Sequence, residues 1–477
     1  MTSNRYLTWT FDTFTKLGIK GPTPLPGLGN FWSLYKMGMV KFDIEMIKKY
    51  GPVHGVYFGR QPLMTIYDTS ILKQIMIKEA HLFPNHFNLQ LFAPPLDKIL
   101  FTLTDEHWKH VRSVVSPIFS SGKMRKMSDK INKCCKTFHK NLKVEADMRR
   151  TFDFDSACDA FTMDLIASVG FGVSIDSHNN PNNLFVRMAK KVFQNKLTLG
   201  VVLLSPWLLK PLTRLGVPLF ENDFIQFFTD VINRTIKEKD DDADDNELDF
   251  LQTLINAHQA SADGDNLRGN KDLLAQSLSF FLVGFETVSV TLSYLCYNLA
   301  CYQEHQERLF KEIVQIIGKE NPTYDSIKQL TYLDMCLNET LRMFPFATRT
   351  DRVASQDVTI NGLFIPKGMA VGIPIHFLQN DPDYWPDPHV FNPERFSEDN
   401  WKVSIVDPMR FMPFGAGPRN CVGMRLAKME VKMAVVHLIR NFRFDVSEKT
   451  DVSCVVVVDD GGGGGDDDDD ENNSLLC

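Results

Sequence analysis

The sequence lacks the cysteine spacing of a disulfide framework or a zinc site. Its nine cysteines stand at 134, 135, 158, 296, 301, 336, 421, 454 and 477, and an odd count in 477 residues suits a reducing compartment. Residues 1–20 contain neither a long apolar run nor a signal-peptide core, so no anchor helix is expected in that segment. An excess of positive charge is also missing. The net charge is −7, but nine acidic residues and no Lys or Arg lie from Asp451 onward. The rest carries 52 basic against 50 acidic side chains, a balance that does not suggest nucleic acid as a partner. What is present, 44% hydrophobic and 23% charged residues, is ordinary for a globular chain able to bury a large core, as one big domain or two to three smaller ones.

A stiff Pro/Gly segment, Gly21 to Gly27, marks a domain entrance. Val53–Phe58 and Leu63–Tyr67 read as strands joined around Gly59-Arg60. Val358–Ile360 and Leu363–Ile365 flank Asn361-Gly362, the preferred type I′ hairpin turn. Most of the remainder has helical periodicity, which predicts a mainly α protein with a small β-sheet region. Lys271 to Ala300 is the longest helical candidate and is apolar nearly all round. A membrane span competes there with a central core helix, and Glu286 with the many Ser and Thr residues favours the core. Thr198 to Leu212, broken by Pro206 and Pro211, is too short to span a bilayer; it reads as a core helix and turn or as a patch dipping into a membrane interface. The acid-rich Lys237 to Asp249 reads as a solvated loop, and residues 451–477, with their Val, Gly and Asp runs, as a disordered acidic tail.

The chemistry centres on Phe414-Gly415-Ala416-Gly417-Pro418-Arg419-Asn420-Cys421-Val422-Gly423. Helical periodicity begins after it, so Cys421 is expected at a helix N-terminus, where free N–H groups and the helix dipole favour a thiolate. Gly417 and Gly423 leave room for a flat ligand to approach the backbone, and Arg419 offers that ligand a cation. A lone cysteine is usually a small buried hydrophobe, but the pattern F-x-x-G-x-R-x-C-x-G resembles the haem-thiolate signature of the cytochrome P450 family at every defined position. The resemblance implies the cytochrome P450 fold, haem b as cofactor and Cys421 as axial ligand of its iron.

Further motifs extend the resemblance over roughly residues 20 to 450 and imply a haem-thiolate domain at 21–450. Trp108 and Arg112 match W-x-x-x-R, and with Arg352 and Arg419 they are implied to bind the haem propionates; the pair alone would more often be a surface cation–π contact. Gly284-Phe285-Glu286-Thr287 resembles the oxygen-activating motif, in which Gly284 gives room and Glu286 and Thr287 relay protons. Val283 stands where the family has Ala or Gly. Glu339 and Arg342 are three apart on one helix face, ordinarily an exposed ion pair; with Arg395 in Pro393-Glu394-Arg395-Phe396 they resemble the family's buried structural triad. Phe101, Leu282, Thr287 and Ala347 correspond to positions near the substrate in the family, and Phe87 to Phe92, an apolar, helix-poor loop ahead of Trp108, is a further pocket candidate. Lys109, Lys123, Arg125 and Lys126 read either as a solvated face or as a docking patch for an acidic flavoprotein.

Ser116 to Lys123, Ile360 to Gly368 and Pro413 to Cys421 resemble the third-family microsomal enzymes that oxidise drugs and steroids. That implies a monooxygenase hydroxylating lipophilic small molecules with O2 and electrons from NADPH through a reductase, with cytochrome b5 as a further candidate partner. It also implies the cytosolic face of the endoplasmic reticulum membrane, with peripheral membrane contact. Two alternatives stay open: a haem-thiolate isomerase of the thromboxane synthase type, against which Glu286 and Thr287 argue, and a degenerate, non-catalytic haem-binding product. Family members continue with a short sheet after the position of Thr450, where this sequence departs from them.

Overall fold

A computed structural model describes residues 7–87, 95–148, 153–184, 186–188, 222–241, 250–260, 270–400, 407–447 and 459–460. Met39–Tyr50 (α1) leads into strands Val53–Phe58 (β1) and Gln61–Ile66 (β2). Helices follow at Asp105–Val115 (α2), Ser121–Asp147 (α3), Phe154–Phe171 (α4), Asn222–Asp241 (α5), Phe250–Ala260 (α6), Asn270–Cys301 (α7), Gln303–Ile316 (α8) and Thr331–Met343 (α9). Then come Thr350–Val353 (β3), Val358–Ile360 (β4), Leu363–Ile365 (β5), Ala370–Ile373 (β6), Ile375–Asn380 (α10), Met424–Ile439 (α11), Phe442–Arg443 (β7) and Asp459–Asp460 (β8). The mainly α reading holds, with one four-stranded sheet ordered β1-β2-β6-β3 and two small two-stranded ones.

Both hairpins form where their turn residues put them. Gly59 has φ +58°, and Asn361 and Gly362 have φ +48° and +84°, as a type I′ turn requires. The pairing that joins the hairpin at β1–β2 to the rest of the sheet is long-range: β2 runs parallel to β6 in the register Leu63↔Ala370 to Thr65↔Gly372. Local pattern carries no signal for such a pairing.

The main core is helical. In α3, Met124, Met127, Ile131, Cys135, Phe138 and Leu142 recur every three or four residues and are all buried, the stripe of a helix lying on a core. In α4 the Asp153 carboxylate caps the Ser156 N–H, Gly172 ends the helix in the left-handed region, and apolar residues cover most faces between. Helix α7 is long and apolar enough to cross a membrane by composition. Nevertheless Leu278, Phe281, Val288, Leu292, Leu295 and Leu299 are all buried in the main core, which is the core-helix alternative. It crosses α4 closely: a Cβ on Gly284 would lie 2.5 Å from Ile166 Cδ1, and one on Gly170 would lie 2.9 Å from Phe280.

The acid-rich segment needs a correction. Helix α5 continues to Asp241, so residues 237–241 are helical rather than loop, while 242–249 lie outside the described residues. Residues 198–212 lie outside them too, as does the tail expectation except at 459–460, which pair with Phe442–Arg443.

Glu339, Arg342 and Arg395 come together. Glu339 and Arg342 have no exposed surface. The Arg342 Nε and Nη2 donate to the Glu339 carboxylate at 2.7 and 2.9 Å, and its remaining donors reach the Gln379 and Pro388 carbonyls at 3.0 and 2.7 Å. Arg395 Nε and the Asn392 N–H both reach Glu339 Oε1, at 3.2 and 3.0 Å. Every charge is paired and nearly every donor used, the condition under which a buried ion cluster is tolerated. Through Gln379, whose Oε1 accepts the Met412 N–H at 3.0 Å, the cluster fixes the approach to the cysteine loop. Replacing Arg342 by Leu leaves Glu339 short of its main partner. Equilibrium urea unfolding of that variant should show a loss of roughly 3–5 kcal/mol.

On α11 the opposite case occurs. Glu430 is buried, its Oε1 has no hydrogen-bond partner among the described residues, and burial pushes its carboxyl from 4.5 up to about 8. The folded state therefore holds a proton that the unfolded chain gives up, so this residue's contribution to stability falls as pH rises from about 4.5 to about 8. Glu430→Gln should flatten that decline, as measured by melting temperature across the same pH range.

Candidate active site

The cysteine loop is shaped by two glycines and one backbone hydrogen bond. Gly415 and Gly417 have φ +69° and +70°, and the Cys421 N–H donates to the Phe414 carbonyl at 2.8 Å, turning the loop back on itself. A Cβ on Gly417 would lie 1.8 Å from the Met76 carbonyl oxygen, so the close approach this glycine permits is to the protein's own backbone. Gly423, at the cap of α11, differs: a Cβ there would meet Phe119 at an ordinary 3.9 Å. Phe414 is half-buried against the main core, with Lys428 Nζ 5.9 Å from its ring centroid.

Cys421 lies just ahead of α11, and the N–H groups of Gly423 and Met424 interact with its sulfur. Together with Arg112 they pull the thiol down, yet burial outweighs them and pushes it above its usual value. The helix terminus thus favours the thiolate, as the sequence suggested, while burial opposes it. Cys421 also keeps accessible surface. A cation there would supply the missing stabilisation, since a coordinated thiol is deprotonated outright.

Three guanidinium groups gather beside it. Arg112, on α2, donates Nη1 to the Asn420 carbonyl and Nη2 to Asn420 Oδ1, both at 2.8 Å. Arg419 sits over the Trp108 ring, its Cζ 3.9 Å from the centroid, and donates to the carbonyls of Pro84 at 2.7 Å and Leu103 at 2.9 Å. Trp108 thus takes its cation–π partner from the loop and not from Arg112. Arg352, in β3, donates to the Asp351 carbonyl at 2.6 Å and the Ala416 carbonyl at 3.3 Å. Among the described residues none of the three forms an ion pair with a carboxylate. Burial, then the neighbouring Arg352, pull Arg419 down to about 9; burial pulls Arg352 down to about 10 and lowers Arg112. Guanidinium groups keep their charge, so these directions express the cost of enclosing three cations, with repulsion from Arg352 and Arg112 adding to it only at Arg419. The donor set fits haem b: a sulfur for its iron and three positioned cations for its carboxylates.

Helix α7 contributes one open face. Val283 is 53% exposed in the midst of buried neighbours. Thr287 Oγ1 donates back to the Val283 carbonyl at 2.8 Å, and Thr291 Oγ1 to the Thr287 carbonyl at 2.7 Å, a pattern that bends helices. Glu286 is half-buried, and Gly284 faces α4. Of the substrate-contact candidates, Phe101 is 53% exposed and stacks on His86 with centroids 4.4 Å apart, Ala347 is exposed, and Leu282 packs partly against the core. Phe87 is described and residues 88–92 are not. Sequence reasoning missed exposed Phe346, next to Ala347, and Asn420 as partner of Arg112. An asparagine inside the loop pattern gives no signal of its own. The basic residues Lys109 and Arg125 are engaged in ion pairs with Glu106 and Asp325 at 2.7 and 2.6 Å.

A family model described as Cytochrome P450 matches residues 19–455. Curated relatives include Cytochrome P450 3A31 of Mesocricetus auratus, 40% identical over 452 residues, which are 93% of this chain and 89% of the relative. Cytochrome P450 3A5 of Homo sapiens is 40% identical over 454 residues, 94% of this chain and 89% of the relative. Cytochrome P450 3A1 of Rattus norvegicus is 40% identical over 454 residues, with 93% and 89% covered.

The contrast between the two glycines is testable. Gly417→Ala should keep helical circular dichroism while haem bound per chain falls well below wild type. Gly423→Ala should bind haem nearly as the parent does.

Proposed function

This chain belongs to the cytochrome P450 family of oxidoreductase monooxygenases, and from that premise we propose that it hydroxylates lipophilic small molecules (steroids, drugs and other xenobiotics). The electrons come from NADPH through a reductase, with cytochrome b5 as a second donor, and the domain over residues 21–450 carries the chemistry. The single observation that carries this reading is Cys421, which keeps accessible surface, beside three guanidinium groups that form no ion pair with a carboxylate among the described residues. Bound haem supplies the activation of O2 and the oxidation of an unactivated C–H bond.

The chain's own residues divide the remaining work. Cys421 would ligate the iron, and Arg112, Arg352 and Arg419 would hold the carboxylates, with the Trp108 ring against the Arg419 guanidinium. Thr287, with its hydroxyl proton turned toward the Val283 carbonyl, keeps its oxygen lone pairs available to accept a proton donor, and Glu286 one residue before it returns protons from the helix flank. Val283, Phe101 and Phe346 offer exposed apolar surface suited to a lipophilic substrate. Glu339, Arg342 and Arg395 support the loop from behind. For localisation, the proposal is the cytosolic face of the endoplasmic reticulum, with peripheral contact favoured by exposed Trp9, Leu25, Trp32 and Tyr35.

The test is the carbon monoxide difference spectrum of the dithionite-reduced protein, followed by turnover with a reductase and a panel of lipophilic substrates. A strongly red-shifted Soret band, abolished in Cys421→Ser, is expected. Thr287→Ala should then consume NADPH with hydroxylated product falling at least tenfold, the scale of a lost proton-transfer group. Unchanged hydroxylated product in Thr287→Ala would contradict the proton-relay role.

A further inference from the structure

Arg419 is held from one side by a stretch with little secondary structure of its own. Residues 95–104 make one 3-10 turn at Leu96–Lys98 and a few further turn bonds before α2 begins. Arg419 takes the carbonyls of Leu103 at 2.9 Å and Leu100 at 3.5 Å from this stretch.

What fixes the stretch is the beginning of α7. Gln276 is 3% exposed, and its side-chain amide donates to the Lys98 carbonyl at 2.7 Å while accepting the Leu100 N–H at 3.0 Å. One turn earlier Asp272 is fully buried. Its Oδ2 meets His107 Nε2 at 2.9 Å, and its Oδ1 lies 3.3 Å from Lys98 Nζ. Lys98 belongs to the stretch, and His107 sits on α2 next to Trp108. The buried amide thus spends hydrogen bonds on this segment, and the buried carboxylate meets it through the Lys98 ion pair and its flank through His107; removing either leaves orphaned polar groups.

We propose that Gln276 and Asp272 are positioning residues for Arg419: through residues 95–104 they tie α7, the helix bearing Glu286 and Thr287, to the guanidinium cluster. The inference rests on the haem reading above. A change in α7 that loosens either side chain releases the Leu100 and Leu103 carbonyls, and with them the orientation of the Arg419 guanidinium.

The experiment measures haem transfer from the loaded, full-length protein to excess apomyoglobin in a double-mutant cycle. Gln276→Leu, which removes both hydrogen bonds at similar volume, should speed transfer about tenfold, as should Arg419→Lys. The double variant should be no faster than Arg419→Lys alone, because both changes act on one coupled path. The reduced carbon monoxide Soret band should stay at the thiolate position throughout, separating this effect from loss of Cys421 ligation. Additive effects, or wild-type transfer in Gln276→Leu, would overturn the proposal. Asp272→Asn and His107→Gln carry the same cycle if Gln276→Leu does not fold. A chain that binds no haem would defeat the function proposed above. The cycle is then read by amide hydrogen exchange at Leu100 and Leu103, where independent protection in the Gln276 and Arg419 variants would refute the coupling.

Discussion

Charge that is buried must be answered, and the fold around the cysteine loop is organised by two different answers. Behind the loop, Glu339 and Arg342 answer each other completely, with Arg395 and several backbone groups taking the remaining capacity. In front of it, Arg112, Arg352 and Arg419 take their hydrogen bonds from neutral oxygens, among them those of Asn420, Ala416, Pro84 and Leu103, and form no ion pair among the described residues. The first arrangement is closed and serves as foundation. The second is open: carbonyls fix where the guanidinium groups sit without neutralising them, and that is the arrangement an anionic ligand needs.

The same contrast governs Cys421. Amide donors and a nearby cation are present, but they do not offset the cost of enclosing a thiolate. The sulfur sits where amides and a cation favour a negative charge and burial opposes it, and a positively charged partner would tip that balance. Structure and cofactor chemistry are therefore coupled at one atom.

Much of the site was legible because its chemistry is written in contiguous stretches. The loop from Phe414 to Gly423, the i,i+4 pair Trp108 and Arg112, and Glu339 with Arg342 each lie within one turn or one loop. The hairpin turn at Asn361-Gly362 was equally plain, since few residues tolerate its backbone angles. What stayed hidden depends on pieces far apart in the chain. The parallel pairing of β2 with β6, the stacking of Arg419 on Trp108, and the clasp of Gln276 on Lys98 and Leu100 all join segments with no local signature. Nor could the sequence foresee that Gly284 answers to Ile166 on a facing helix, because a glycine in a motif does not say which neighbour crowds it.

That crowding bears on how the enzyme can adapt. With Ile166 and Phe280 each seated where a facing glycine lacks a side chain, α7 and α4 mesh like gear teeth and resist sliding past one another. The wall formed by α7 is accordingly an anvil. The face of α7 that carries Val283 and Thr287 is backed by these interlocked side chains, so a substitution that fills either glycine must push the two helices apart.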